Sequence, residues 1–530
     1  MVYAIKLLLV VLLVGATAAW VLRGAFANLL SQAQYKRAWM CVLAVTLPTF
    51  LSFRPDLFCV AVAIVSVIAA GHLGEGDRGN VNAFLLFLLV LPPLNYTLGG
   101  LEGLNYVLRL DPMRLLSLAL LTVPAVRLLF RRRQRDEPAV RVVDLVMVAY
   151  QVWGIFLVAR YANLTGIART IVESFCDVLI PYYVITRTLR TAADLRTAGT
   201  YLAIGCVVMG SVACAESLIQ HNVYAGLQWI YGVRWESTVD LMRGGFLRVE
   251  SATSQPIVLA FVLIFAISLW TWLRGDALRN RAVILTYLMF AFALLSTWSR
   301  GPWLGTALLL FALVLQRWLS PRAFGVVVLL GLGAAVFAKM GGADETVMAG
   351  LQALFGNSHD DLSTINYRRE LLDASLALIQ QSPWWGVPNY DTALETFRQG
   401  EGMIDLVNTY IVILLNTGVP GLAMFLFPYA YVIARMLGVQ RRANLVSPSS
   451  TVLGKFPPAF IAMILAMLFT IFTTSTYGVM KYLLMLAIAL PVAWLKQARL
   501  AAAVEDIGIE DPAPEPWAPA RLPGRRVWRG

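Results

Sequence analysis

Residues 282–316, AVILTYLMFAFALLSTWSRGPWLGTALLLFALVLQ, decide how this chain folds. Two apolar runs, 282–297 and 303–316, are each nearly long enough to cross a bilayer, and Ser299-Arg300-Gly301-Pro302 interrupts them. An arginine at a membrane edge is costly to keep without a partner. Arg300 opens a helix in which Pro302 is tolerated in the first turn and Ser299 is placed to act as N-cap. Exposed backbone N–H groups, the positive helix end and a guanidinium fork converge there, which suits a phosphate or diphosphate. The plainer alternative is an interfacial arginine that snorkels to the headgroups.

Working outward, hydrophobic residues make up 59% of the chain and charged residues 14%. That composition belongs to a polytopic membrane protein, all-α, with about fourteen spans. The apolar runs lie near 5–22, 38–53, 57–71, 82–98, 112–130, 142–159, 171–187, 199–216, 256–273, 282–297, 302–316, 323–338, 419–437, 457–472 and 475–495. The first resembles a signal peptide, but more membrane follows it, so it reads as a retained span.

Lys and Arg cluster at Arg127–Arg135, Arg187–Arg196, Arg274–Arg281, Arg317–Arg322, Arg435–Arg442 and from Lys496 onward, which makes those segments cytoplasmic. The net charge of +12 is then a topology signal with some attraction to membrane lipid, and no nucleic-acid partner is expected. Opposite parity puts 217–255, the Arg300 turn and 339–418 outside the cytoplasm. The expected organisation is N-terminal transmembrane helices over 1–198, a transmembrane core carrying Arg248 and Arg300 over 199–338, and a large helical extracytoplasmic loop domain over 339–418. C-terminal transmembrane helices over 419–496 and a disordered cytoplasmic tail over 497–530 complete it.

Within the loop, Leu371, Leu372, Leu376 and Ile379 have helical spacing over Tyr367–Gln380, with Arg368 and Arg369 at its start and a break at Ser382-Pro383. A second helix over Asp405–Asn416 is closed by Thr417-Gly418 and restarted at Pro420. Asp405 and Asn408 would share a face of it, as catalytic groups or as caps. The five cysteines lie in apolar spans without metal-ligand spacing and read as buried small residues. His359-Asp360-Asp361 does not define a metal site, and no phosphate loop or nucleophile elbow is present, so neither metal nor cofactor is expected.

STWSRGPWLG, then NYRRELLDASLALIQQSPWWGVPNYD, then DLVNTYIVILLNTGVPGL resemble the ordered core motifs of the O-antigen ligase and polymerase family of bacterial inner-membrane proteins. The matching positions are Ser299-Arg300-Gly301, Arg368, Pro383–Gly386, Val407-Asn408-Thr409-Tyr410 and Gly418–Gly421; FLRVESATSQPIVLA adds Arg248 and Pro256. The resemblance implies transfer of a glycan from an undecaprenyl-diphosphate carrier to a hydroxyl, with inversion and without metal, in the inner membrane facing the periplasm. It also implies a chain-length regulator and a flippase of the same pathway as partners.

The family's ligases carry a histidine where this chain has Val407, and a valine takes no proton. Polymerisation of repeat units into O-antigen, capsule or exopolysaccharide is therefore expected before transfer to a lipid A core, with Asp405 as substitute base. Arg300 and Arg368 are expected to clamp the diphosphate, assisted by Arg248 and by Arg369 or Arg398, while Asn408 and Tyr410 orient the acceptor. Trp384 and Trp385 are able to stack on sugars or to pack the loop. A transporter of lipid-linked glycan would use the same arginines without making a bond, though no internal repeat of the transporter kind is evident.

Overall fold

The computed structural model describes residues 2–94, 96–99, 106–130, 138–231, 241–243, 245–321, 325, 359–398, 404, 406–446 and 452–506. Among them, nine helices are long and apolar enough to cross a membrane: Tyr3–Ala25, Pro55–Leu73, Pro112–Phe130, Val140–Val158, Ala192–Ile219, Pro256–Arg274, Thr409–Arg441, Gly454–Phe472 and Met480–Ala498. Two shorter apolar helices, Arg281–Ser296 and Arg300–Leu315, accompany them. The strands among the described residues form two small antiparallel pairs, Tyr96–Gly99 with Tyr106–Leu110 and Met242–Arg243 with Phe246–Leu247. Stripes of exposed Leu9, Leu13, Val60, Ile64, Leu145 and Val152 would be untenable in water and face lipid. The chain is an all-α, multi-pass membrane protein.

Pro256–Arg274 is the hub. It is 94% buried, against 22% for Val140–Val158 at the periphery. Gly454–Phe472, Ala192–Ile219 and the two short helices pack around it. Trp270 is wholly enclosed, and Trp272 meets Phe456 edge-on with centroids 5.1 Å apart. The helix ends opposite the Arg300 turn are basic: Lys455 pairs with Asp276, Arg187 with Asp144, and Lys496 Nζ donates to the Thr186 carbonyl at 3.1 Å.

Several expected boundaries move. The 82–98 run yields only the helix Gly76–Phe87, because Pro92 and Pro93 deny the chain a further turn. Twelve residues rise about 18 Å, too short to span, and the apolar part from Val81 to Phe87 is instead enclosed by protein. The 171–187 run belongs to a longer helical path, Leu164–Ser174, a π-helical turn Phe175–Leu179, and Ile180–Thr188. The last helix, Met480–Asp506, passes the expected limit at 496, since QARLAAAVED is rich in strong helix formers. The 323–338 run apart from residue 325, all of 339–358 and the tail beyond 506 lie outside the described residues. The five cysteines sit in helices, Cys214 half-buried and the others buried.

Candidate functional site

The site is built around the turn between Arg281–Ser296 and Arg300–Leu315. Trp298 sits in the left-handed region with φ 49°, a strained setting for an aromatic residue. Ser299 occupies the N-cap position, but its hydroxyl caps no helix N–H. It donates instead to the Thr297 carbonyl at 3.1 Å and accepts from Arg248 Nη2 at 3.1 Å. This corrects the expected cap: a guanidinium from a distant segment has taken the oxygen.

Arg248 Nε also donates to the Thr297 carbonyl at 3.2 Å, and Arg243 Nη1 to that of Trp298 at 2.9 Å. Phe246 stacks on Trp298 with centroids 5.2 Å apart. The hairpin Met242–Leu247 and the residues after it thus strap the turn that opens the Arg300 helix. Both hydrogen-bond partners of Arg248 are neutral. Burial first, and then the Arg243 charge, pull its pKa down to about 10, so it still carries its proton at neutral pH.

A buried carboxylate holds the strap. Glu216, fully enclosed near the end of Ala192–Ile219, accepts from the backbone N–H groups of Val223 (3.0 Å), Glu250 (3.2 Å) and Ser251 (2.7 Å). Gln220 Oε1 accepts from Leu247 N at 2.9 Å, and Ser251 Oγ donates to the Met209 carbonyl at 3.0 Å.

The Arg300 helix is pinned from its other side. Gly301 and Gly305, one turn apart, press their bare backbone onto the hydroxyls of Thr473 and Thr470, where a Cβ at either position would collide. Beyond Thr473, the Thr474 carbonyl accepts from Thr409 N (3.1 Å) and Thr409 Oγ1 (2.7 Å), and Ser475 Oγ donates to the Leu406 carbonyl. The expected helix over 405–416 starts only at Thr409. Asn408 precedes it as N-cap, its Oδ1 accepting from Tyr410 N at 2.9 Å. Tyr410 donates its hydroxyl to the Leu468 carbonyl at 2.7 Å. Asp405 lies outside the described residues.

The loop segment packs on this helix. His359–Gln381 begins well before the expected Tyr367, so Arg368 and Arg369 stand inside it, exposed; Leu371 and Ile379 join Leu394, Leu406, Ile411 and Leu415 in a separate small core. Gly386 and Gly418, with φ 67° and 66°, form an interlocking seat. Val387 N donates to the Leu415 carbonyl at 2.7 Å, and Val419 N to that of Pro383 at 2.8 Å. A Cβ at Gly418 would lie 2.5 Å from the Trp384 carbonyl oxygen. Trp385 stacks on Trp153 with centroids 5.3 Å apart, while Trp384 remains 62% exposed. Arg398 forks Glu395 through two 2.7 Å bonds at the surface.

The structure therefore joins Arg248 to the Arg300 turn, and sets Asn408 and Tyr410 against the segment that continues from Thr473. It places Arg398 in an ion pair and Trp385 against Val140–Val158. Arg243 and Glu216 were missed by the sequence reading. Arg243 lies five residues before Arg248 in a short hairpin, a local clue; nothing local marks Glu216, whose partners are seven or more residues away. No curated protein matches the chain. Residues 284–426 match the family model described as O-antigen ligase. That segment holds Arg300, the loop helix, the Gly386–Gly418 seat and Asn408 on one scaffold, and over it the chain is similar to the O-antigen ligase family.

Proposed function

We propose that this protein is a membrane glycosyltransferase that polymerises undecaprenyl-diphosphate-linked oligosaccharide units into a surface polysaccharide, in the bacterial inner membrane with the Arg300 end facing the periplasm. The observation that carries the reading is Arg248, a half-buried guanidinium whose hydrogen-bond partners among the described residues are neutral, lodged in the turn that opens the Arg300 helix. The Glu250 carboxylate already favours the Arg248 charge, and an incoming diphosphate adds counter-charge in direct contact. The basic helix ends on the other side of the bundle support the orientation.

In this mechanism Arg248, Arg300 and Arg368 hold the diphosphate, with Arg369 assisting. An acceptor hydroxyl attacks the anomeric carbon from the face opposite the leaving oxygen, its proton passes to Asp405, and the C–O bond to phosphate breaks. Undecaprenyl diphosphate leaves with the electron pair, and the configuration inverts. The arginines act by stabilising charge that grows on the bridging oxygen in a partly dehydrated site, worth about 3 kcal/mol for one donor. Val407 at the position where the family's ligases carry histidine favours polymerisation over ligation to lipid A core.

The test is an assay with purified protein and lipid-linked repeat unit. Lengthening of the glycan with release of free undecaprenyl diphosphate is the expected result. Movement of the lipid-linked glycan across a vesicle membrane without a new glycosidic bond would replace the transferase with a transporter.

A further inference from the structure

A second polar centre lies outside the family-matched segment. Arg114 grips Asp177 through Nε at 3.0 Å and Nη2 at 2.8 Å, and reaches Glu173 through Nη1 at 3.0 Å. Lys481 Nζ donates to Asp177 Oδ2 at 2.6 Å, and the Tyr482 hydroxyl to Oδ1 at 2.9 Å. Two π-helical turns meet here: Phe175–Leu179 contains Asp177, and Ser117–Leu121 begins three residues after Arg114. Such turns cost helix stability and tend to persist where they place a functional side chain.

Beside this cluster is a cavity of about 250 Å³. Its polar wall includes Arg109, Asp111, Glu173, Lys481 and Ser254, and its apolar wall includes Leu88, Leu91 and Met209. Ser254 is 2% exposed, and its hydroxyl has no hydrogen-bond partner among the described residues. Its backbone is also in the left-handed region, φ 58°, so an unsatisfied group is held in a strained conformation at the cavity wall.

Three cations, Arg109, Arg114 and Lys481, line the cavity with two carboxylates, Asp111 and Glu173, and Asp177 behind the wall is bonded to both Arg114 and Lys481. With its cations largely offset in this way, the lining exerts less general pull on an anion than the Arg248 turn does. It offers donors and acceptors side by side next to an apolar surface, which is what a pyranose requires, with its alternating hydroxyls and its C–H face. The cavity also adjoins the strap of the arginine turn: Ala252–Ser254, which line it, continue the segment that carries Arg248.

We propose that this cavity is the acceptor subsite, holding the uncharged sugar whose hydroxyl attacks the lipid-linked donor. The assignment rests on the transferase reading. Ser254 and Glu173 bind the acceptor and take no part in moving protons.

The test uses full-length protein in nanodiscs, with two probes: the free repeat oligosaccharide released by mild acid from the source cells' own polysaccharide, and the lipid-linked repeat unit. Ser254→Ala removes a hydroxyl that bonds none of the described residues, so folding should survive. Ser254→Ala and Glu173→Gln should each weaken free-saccharide binding about tenfold, and raise the acceptor KM by the same factor with little change in kcat. Arg300→Ala should lose turnover and keep saccharide binding.

Unchanged saccharide affinity and KM in both folded variants, while wild type elongates glycan, would overturn the subsite and leave the transferase standing. Saccharide binding that depends on Ser254 in a protein that forms no glycosidic bond would overturn the acceptor role and the transferase together. Absence of both binding and elongation would do the same.

Discussion

A guanidinium set among carbonyl and hydroxyl oxygens in apolar surroundings keeps its charge at a cost, and that cost is relieved when an anion arrives. Arg248 is in this state, and Arg300 lies one residue beyond the serine that binds it. Arg248→Ala, Arg300→Ala and Arg368→Ala should each reduce polymer formation at least about a hundredfold, the loss of roughly 3 kcal/mol in the barrier. Lysine should rescue poorly, because a point charge cannot reproduce a two-pronged contact. Polymer ladders at normal expression read this out, and a near-normal ladder removes that arginine from the site. Asp405→Asn should lose most turnover but keep lipid-linked substrate; full activity would show that activation of the leaving group suffices. Glu216→Ala should act differently, orphaning three buried N–H donors at about 1–3 kcal/mol each and lowering the thermal midpoint in detergent. The arginines were legible because charge next to apolar runs is conspicuous. Glu216, and the loss of Ser299 as a cap, were not, because both depend on partners brought in by folding.

At the level of helices, two glycine contacts set the geometry. The Gly301–Gly305 face lets the Arg300 helix lie against Thr470 and Thr473, so Gly305→Ala should push it away and reduce activity and stability. Thr470→Ala in the same chain should restore part of both by removing the opposing hydroxyl. Failure of that rescue would mean that the close approach does not control the site. Gly418→Ala should unseat the loop domain, since it combines a positive φ with a collision at the Trp384 carbonyl; limited proteolysis between 382 and 408 would report the release. Sequence punctuation located these joints well: Pro383–Gly386 and Gly418 both mark real turns. The π turns at 117–121 and 175–179 left no such mark, because one inserted residue in an apolar helix does not disturb its composition.

For the molecule as a whole, composition indicated the fold class, but not the division between helices that face lipid and helices enclosed by protein. A run such as Val81–Leu91 is as apolar as a span and is buried by neighbours instead. Charge asymmetry further predicts that Glu370 and the Arg300 turn face the periplasm, while Leu278 and Gln440 face the cytoplasm. In whole cells a cysteine introduced at Glu370 should react with a membrane-impermeant maleimide, and one at Leu278 only after permeabilisation. The opposite pattern would invert the orientation and remove the proposed site from its substrate. The five native thiols make this experiment simple. Four are enclosed in helices, away from the water a thiolate needs, and the half-buried Cys214 donates its Sγ–H to the Met289 carbonyl at 3.5 Å. The natural chain is therefore its own silent background: a probe attached through one new thiol, whether a dye, a spin label or a crosslinker, will report from that position alone.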